Sequence, residues 1–243
     1  MPYCESQKRL RDMPNGGTRR ILAALLAMFF ILPVWGADKS KDDDTLKNAA
    51  TVLDSMLSGG NIPPDVLARA DCVIVLPSVK KFGFLVGGSG GRGPMSCRQG
   101  KGFSGRWSPP AMYTIGGASF GLQAGGSSTD VVLLVMAEKA VESILNGKTK
   151  LGSDATAAAG PSGATSMGTV GGSDILTYGR AKGLFAGMSL GGATLEPDPD
   201  ANQRLYGKEI SAKEILLGNA VKMPAGGQPL VTLLNSKITK HSS

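Results

Sequence analysis

Histidine is almost missing from this chain: the single one, His241, is the third residue from the end of 243. Histidine acid–base catalysis, Ser–His and Cys–His nucleophiles and most zinc sites therefore lack their central group in the body of the protein. Cysteine is nearly as scarce. Three residues are too few for a disulfide framework at this length. Aromatic residues make up only 5%, and between Asp71 and Asp130 there is no acidic residue at all. These absences exclude more chemistry than they permit. A binding protein without cofactor or metal is expected, not an enzyme.

What is plentiful is glycine, 35 residues, within a chain that is 42% hydrophobic. That balance disfavours a helical bundle and suits short strands joined by tight turns. Residues 21–35 (ILAALLAMFFILPVW) form an unbroken apolar run after Arg19 and Arg20, followed by Gly36 and Ala37. A charged start, a short apolar middle and a small-residue exit read as a secretory signal peptide cut after Gly36, with Met1 or Met13 as its start. The run is shorter than the ~20 residues that span a bilayer; an uncleaved anchor is the alternative. Residues 37–243 read as one domain.

After the leader, Asp44 caps a helix to Ser58 with Leu46, Ala49, Ala50, Leu53, Met56 and Leu57 on one face. Pro63–Pro64 opens a second short helix ending at Ala70. Strands are expected over 72–76, 82–88 and 94–98, then in AMYTIGGASFGLQAG and VVLLVM, and a helix over Glu138–Leu145. Residues 151–171 read as extended. Ile175–Tyr178 and Leu184–Leu190 pair as strands, Ser211 and Glu214 form a capping box, and Pro229–Lys240 closes the chain as a helix. The fold class is α+β: a largely antiparallel sheet or barrel-like core with N- and C-terminal helices packed on it. In a three-strand meander Cys72 and Cys97 lie about 10 Å apart, too far for a disulfide, so both read as buried hydrophobes.

Several motifs fail on context. Gly88-x-Gly90-x-x-Gly93 matches the dinucleotide fingerprint, but Pro94 follows where a helix is needed, so a glycine-rich hairpin is expected. Gly147-Lys148-Thr149 lacks the first glycine of a P-loop. Ser89 and Ser189 each sit in a Gly-x-Ser-x-Gly frame with neither a following helix nor a histidine base. Asp198 and Asp200 read as a solvated turn.

Charge is where a functional argument starts. Of the net +7, the leader holds +3; residues 37–71 are −3, and residues 72–129 are +6. Lys80 and Lys81 enter the expected hairpin, Arg92 lies at its glycine-rich tip, and Arg98 and Lys101 follow. Such a face attracts phospholipid headgroups, each basic residue adding ~1 kcal/mol near an anionic bilayer. The alternatives are lysines that blunt strand edges, or a structural adaptor that binds another envelope protein through its β surface. Export makes nucleic acid the least suitable partner.

The stretches PSVKKFGFLVGGSGGRG (77–93), WSPPAMYTIGGASFGLQAGG (107–126), LGSDATAAAGPSG (151–163) and YGRAKGLFAGMSLGGATLEPD (178–198) resemble the SYLF family. This is the lipid-binding domain also labelled the Ysc84 actin-binding domain. The likeness runs from about Lys47 to Leu217 and suggests an exported, bacterial member. It implies binding to phosphorylated or acidic lipids and, in eukaryotic members, to filamentous actin, which an exported chain would not meet. Lys80 and Lys81 fall in the family's basic hairpin and Lys182 in its Lys-Gly-Leu-Phe-Ala-Gly motif. The candidate headgroup contacts are thus Lys80, Lys81, Arg92, Arg98 and Lys101, with Arg180 and Lys182 as additions. The expected location is the periplasm or the exterior, peripherally attached to membrane.

Overall fold

The computed structural model describes residues 35–84, 86–120, 125–161, 172–181, 184–187, 190–218 and 221–237. The chain divides into two units, Met1–Gly36 and Ala37–Ser243, and the second carries the fold. The described elements run α1 (Trp35–Ser58), α2 (Pro64–Arg69), β1 (Cys72–Phe84), β2 (Val86–Cys97), β3 (Ala111–Phe120), β4 (Gly125–Val135) and α3 (Glu138–Leu145). There follow β5 (Thr149–Lys150), β6 (Ala157–Ala159), β7 (Ile175–Ala181), β8 (Leu184–Gly187), β9 (Thr194–Pro197), α4 (Pro199–Tyr206), α5 (Ala212–Leu217) and α6 (Gln228–Lys237). The strands form one sheet in the order β5-β9-β3-β2-β1-β4-β7-β6, with β8 also on β7. Among the described strands only β6 and β7 pair in parallel, and the sheet curls into a half-barrel. The α+β reading holds.

Both faces of the sheet are buried, which explains why CVIVL and VVLLV are continuously apolar. Period-two alternation sends Val73, Val75, Val132 and Leu134 to one face, under α1, α2 and α6. Cys72, Ile74, Leu76, Val131 and Leu133 turn to the other, against α3 and α5. The apolar stripe of α1 packs as its spacing requires: Leu46, Ala49, Ala50, Leu53 and Met56 are buried. The helix nevertheless begins at Trp35, well before Asp44; along its acidic lead-in Asp38 and Asp44 each pair with a lysine three residues on (Lys41, Lys47), and Asp42 finds an interior partner. The Ser211–Glu214 capping box is present in full.

The main correction concerns 72–98, expected as strands 72–76, 82–88 and 94–98. There are not three strands but one long hairpin, in which the glycine-rich stretch does not turn but continues as β2. Glycine is required there by close packing. A Cβ on Gly93 would be driven into the Val75 carbonyl, and one on Gly91 would lie 2.8 Å from Val79 Cγ2. Antiparallel pairing then sets Cys72 directly opposite Cys97, with Cα atoms 4.0 Å apart, and the two form a disulfide. The expectation of two separate buried thiols is overturned. A second correction is α4: Asp198 is no solvated turn residue but a helix cap, accepting from Ala201 N at 3.0 Å with Pro199 next in line.

The disulfide closes a 25-residue separation, worth about 3 kcal/mol on a chain-entropy basis. Replacing both cysteines by alanine should lower the free energy of urea unfolding by roughly that amount, with the midpoint shifted down and the slope somewhat raised, because the denatured chain is no longer held compact.

Candidate functional site

The seven basic residues singled out from sequence do not form one patch. Buried core positions end at Val79 on β1, Ile115 on β3 and Val131 on β4. Beyond them the strands run on with small partners. Lys80 lies between Gly90 and Ser128, and Lys81 between Ser89 and Ser127. A bulge at Pro77–Ser78 shifts the register between Leu76 and Val79. It returns Val79 to the interior and sends Lys80 to the α1 face and Lys81 to the opposite one. Lys80 is exposed and Lys81 half-buried, and neither makes an ion pair among the described residues.

Arg180 holds that bulge. Its guanidinium donates to Asp130 Oδ2 at 2.9 Å and to the Ser55 hydroxyl of α1. Asp130 Oδ1 in turn accepts the Ser78 N–H at 3.0 Å. Arg180 therefore positions Lys80 from beneath, with its part-exposed guanidinium already engaged by Asp130 and Ser55. Arg92 is likewise not at a tip. It stands mid-strand opposite Thr114 and pairs with Asp42 of α1. Asp42, with no exposed surface, also accepts from Arg204 Nε of α4 at 2.7 Å.

Arg98 is 3% exposed and stacks on Trp107, 4.6 Å above the ring. Burial pushes its guanidinium below its ordinary value, the Asp71 carboxylate acting in the other direction. It has no route to a headgroup. Lys101 is exposed, but it stands past Cys97, at the other end of the hairpin from Lys80. Lys182 lies outside the described residues, as do residues 1–34, Ser189 and His241. Ser89 belongs to β2 and its hydroxyl reaches the Gly117 carbonyl at 3.4 Å, so it stands on no nucleophile elbow. Among the described residues no cluster of side chains could hold a metal.

Residues 116–237 match the family model described as Ysc84, "Las17-binding protein actin regulator". The chain belongs to the Ysc84 (SYLF) family. It is 39% identical over 183 residues to the SH3 domain-containing protein PJ696.02 of Schizosaccharomyces pombe, covering 73% of this chain and 41% of that one. Protein YSC84 of Saccharomyces cerevisiae is 36% identical over 211 residues, 80% of this chain and 44% of its own length. SH3 domain-containing YSC84-like protein 1 of Rattus norvegicus is 36% identical over 186 residues, 75% and 53%. This chain thus spans about half the length of these relatives.

Within this Ysc84 domain, sequence reasoning missed Asp42 and Asp130, the carboxylates that decide which cations are free. Asp42→Ala leaves Arg92 and Arg204 facing each other without their anion and should cost about 3 kcal/mol in urea unfolding. Lys80→Ala, which breaks no contact, should change stability by less than about 0.5 kcal/mol.

Proposed function

We propose that this chain is an exported domain that attaches reversibly to acidic or phosphorylated lipid headgroups through the free end of the β1–β2 hairpin. The observation that carries this reading is the pair Lys80 and Lys81, on opposite faces of strands that have left the core. A surface meeting either face of this end of the sheet reaches one of the two lysines. Their cross-strand partners are glycine and serine, so no bulky side chain stands directly opposite either lysine.

The magnitude is modest. Two lysines at ~1 kcal/mol each give an attraction of about 2 kcal/mol, screened within ~8 Å at physiological ionic strength. Arg92, Arg98 and Arg180 do not add to it; they organise the sheet and helix behind the tip. No helix among the described residues is long and apolar enough to cross a membrane, and attachment in this reading is peripheral. Export is supported by the leader-like residues 1–36 and by the Cys72–Cys97 disulfide, which joins the only cysteines after Cys4 and suits an oxidising compartment.

A second reading is favoured by the family description, which names a protein that binds Las17: a non-enzymatic adaptor holding a protein partner through the same sheet. Co-sedimentation of the full chain with neutral and phosphatidylserine-containing vesicles separates the two. Lipid attachment predicts binding that needs the anionic lipid, falls steeply with salt and drops at least ten-fold in Lys80→Glu/Lys81→Glu. Binding to neither vesicle type supports the adaptor, and binding indifferent to salt and to the substitutions refutes the lysine tip.

A further inference from the structure

The far end of the same hairpin carries a second cationic surface. Arg98 and Trp107 bridge across the base of the loop 99–106, QGKGFSGR. Lys101, Ser104 and Arg106 are exposed at its rim, the loop holds no carboxylate, and neither Lys101 nor Arg106 has an ion-pair partner among the described residues.

This loop is braced rather than loose. Gln99 N donates to the Arg106 carbonyl at 2.9 Å, and Gly105 N to the Gln99 carbonyl at 2.8 Å. The Gln99 side chain donates to the Gly218 carbonyl at 2.9 Å, beyond α5. Arg98 Nη1 reaches the Gly105 carbonyl at 3.4 Å, and the Cys72–Cys97 disulfide lies directly behind. Phe103 is 8% exposed and held at φ 51°, a left-handed conformation that a phenylalanine keeps only where its surroundings impose it. Its ring is the anchor that leaves Lys101 and Arg106 turned outward. A loop backbone already braced loses little freedom on meeting an anion, and arginine can grip a phosphate with two parallel hydrogen bonds.

Cys97 and Gly90, the partner of Lys80, are seven residues apart on β2, roughly 23 Å at the rise of a strand. The body of the sheet, with helices on both faces, lies between the two cationic ends. We propose, building on the lipid-binding reading above, that the 99–106 loop is a second contact for acidic lipid headgroups, and that the domain bridges two acidic lipid surfaces end to end.

The test is clustering of phosphatidylserine-containing vesicles by the full chain, followed by dynamic light scattering, with co-sedimentation measured on the same samples. The expected result is a salt-reversible rise in vesicle size with wild type. Lys101→Glu/Arg106→Glu, and more mildly Lys101→Ala/Arg106→Ala, should lose clustering several-fold while still sedimenting. All four substitutions are at exposed side chains, and an unchanged thermal melt confirms the fold. Sedimentation without clustering by wild type, or clustering unchanged in both variants, overturns the bridging proposal and leaves the tip reading intact. Absence of sedimentation by wild type overturns both.

Discussion

A carboxylate with no exposed surface governs this domain. Asp42 is on α1; its two arginine partners are on β2 and α4. A lone buried anion would cost several kcal/mol, and only a helix lying across this side of the sheet can bring it to both cations. Thirteen residues along, about 20 Å at 1.5 Å per residue, Ser55 meets Arg180 of β7. The helix is thereby pinned at both ends of its crossing, with Ala49, Leu53 and Met56 pressed onto the sheet between the pins. Hydrophobic burial supplies the larger part of the attraction; the polar contacts fix the register and angle.

The same contacts sort the basic residues. Arg92 and Arg180 are consumed in holding α1 and the Pro77–Ser78 bulge, and Arg98 in holding Trp107. What remains for an outside partner is lysine at the hairpin end and the Lys101–Arg106 pair at its base. For Arg92, Arg98 and Arg180 the interior role follows from a planar guanidinium that meets several partners at once, while the ammonium groups of Lys80, Lys81 and Lys101 are left hydrated. The +6 charge of residues 72–129 is therefore a poor guide to surface potential. Two of those six cations, Arg92 and Arg98, are taken up by interior partners.

Much of the fold was legible in the sequence because the deciding signals are local. The 3.6-residue apolar spacing of α1, the Ser211–Glu214 box and the start of α3 at Glu138 need no knowledge of distant residues. The glycine-rich run was not legible, since glycine promises a turn locally, while here Gly91 and Gly93 are demanded by Val79 and Val75 on a neighbouring strand. That one misreading also hid the disulfide, which depends on pairing register. The helix at Asp198-Pro199 did carry a local signal, a cap followed by proline, that was outweighed by its polarity. The fate of Arg92 depends on Asp42, fifty residues earlier, and no local pattern links them. Family membership rested on motifs spread over some 170 residues, and the comparisons support it.

The central claim is that the ends of one hairpin meet acidic lipid while the arginine-pinned helix stays in place. Hydrogen–deuterium exchange on the full chain, with and without phosphatidylserine-containing vesicles, tests it most directly. The account predicts slowed exchange at residues 79–91 and 99–106, with α1 from 40 to 56 unchanged. Exchange that rises along α1 on adding lipid, with 79–91 unaffected, would mean that the helix releases and the lysine tip is a bystander.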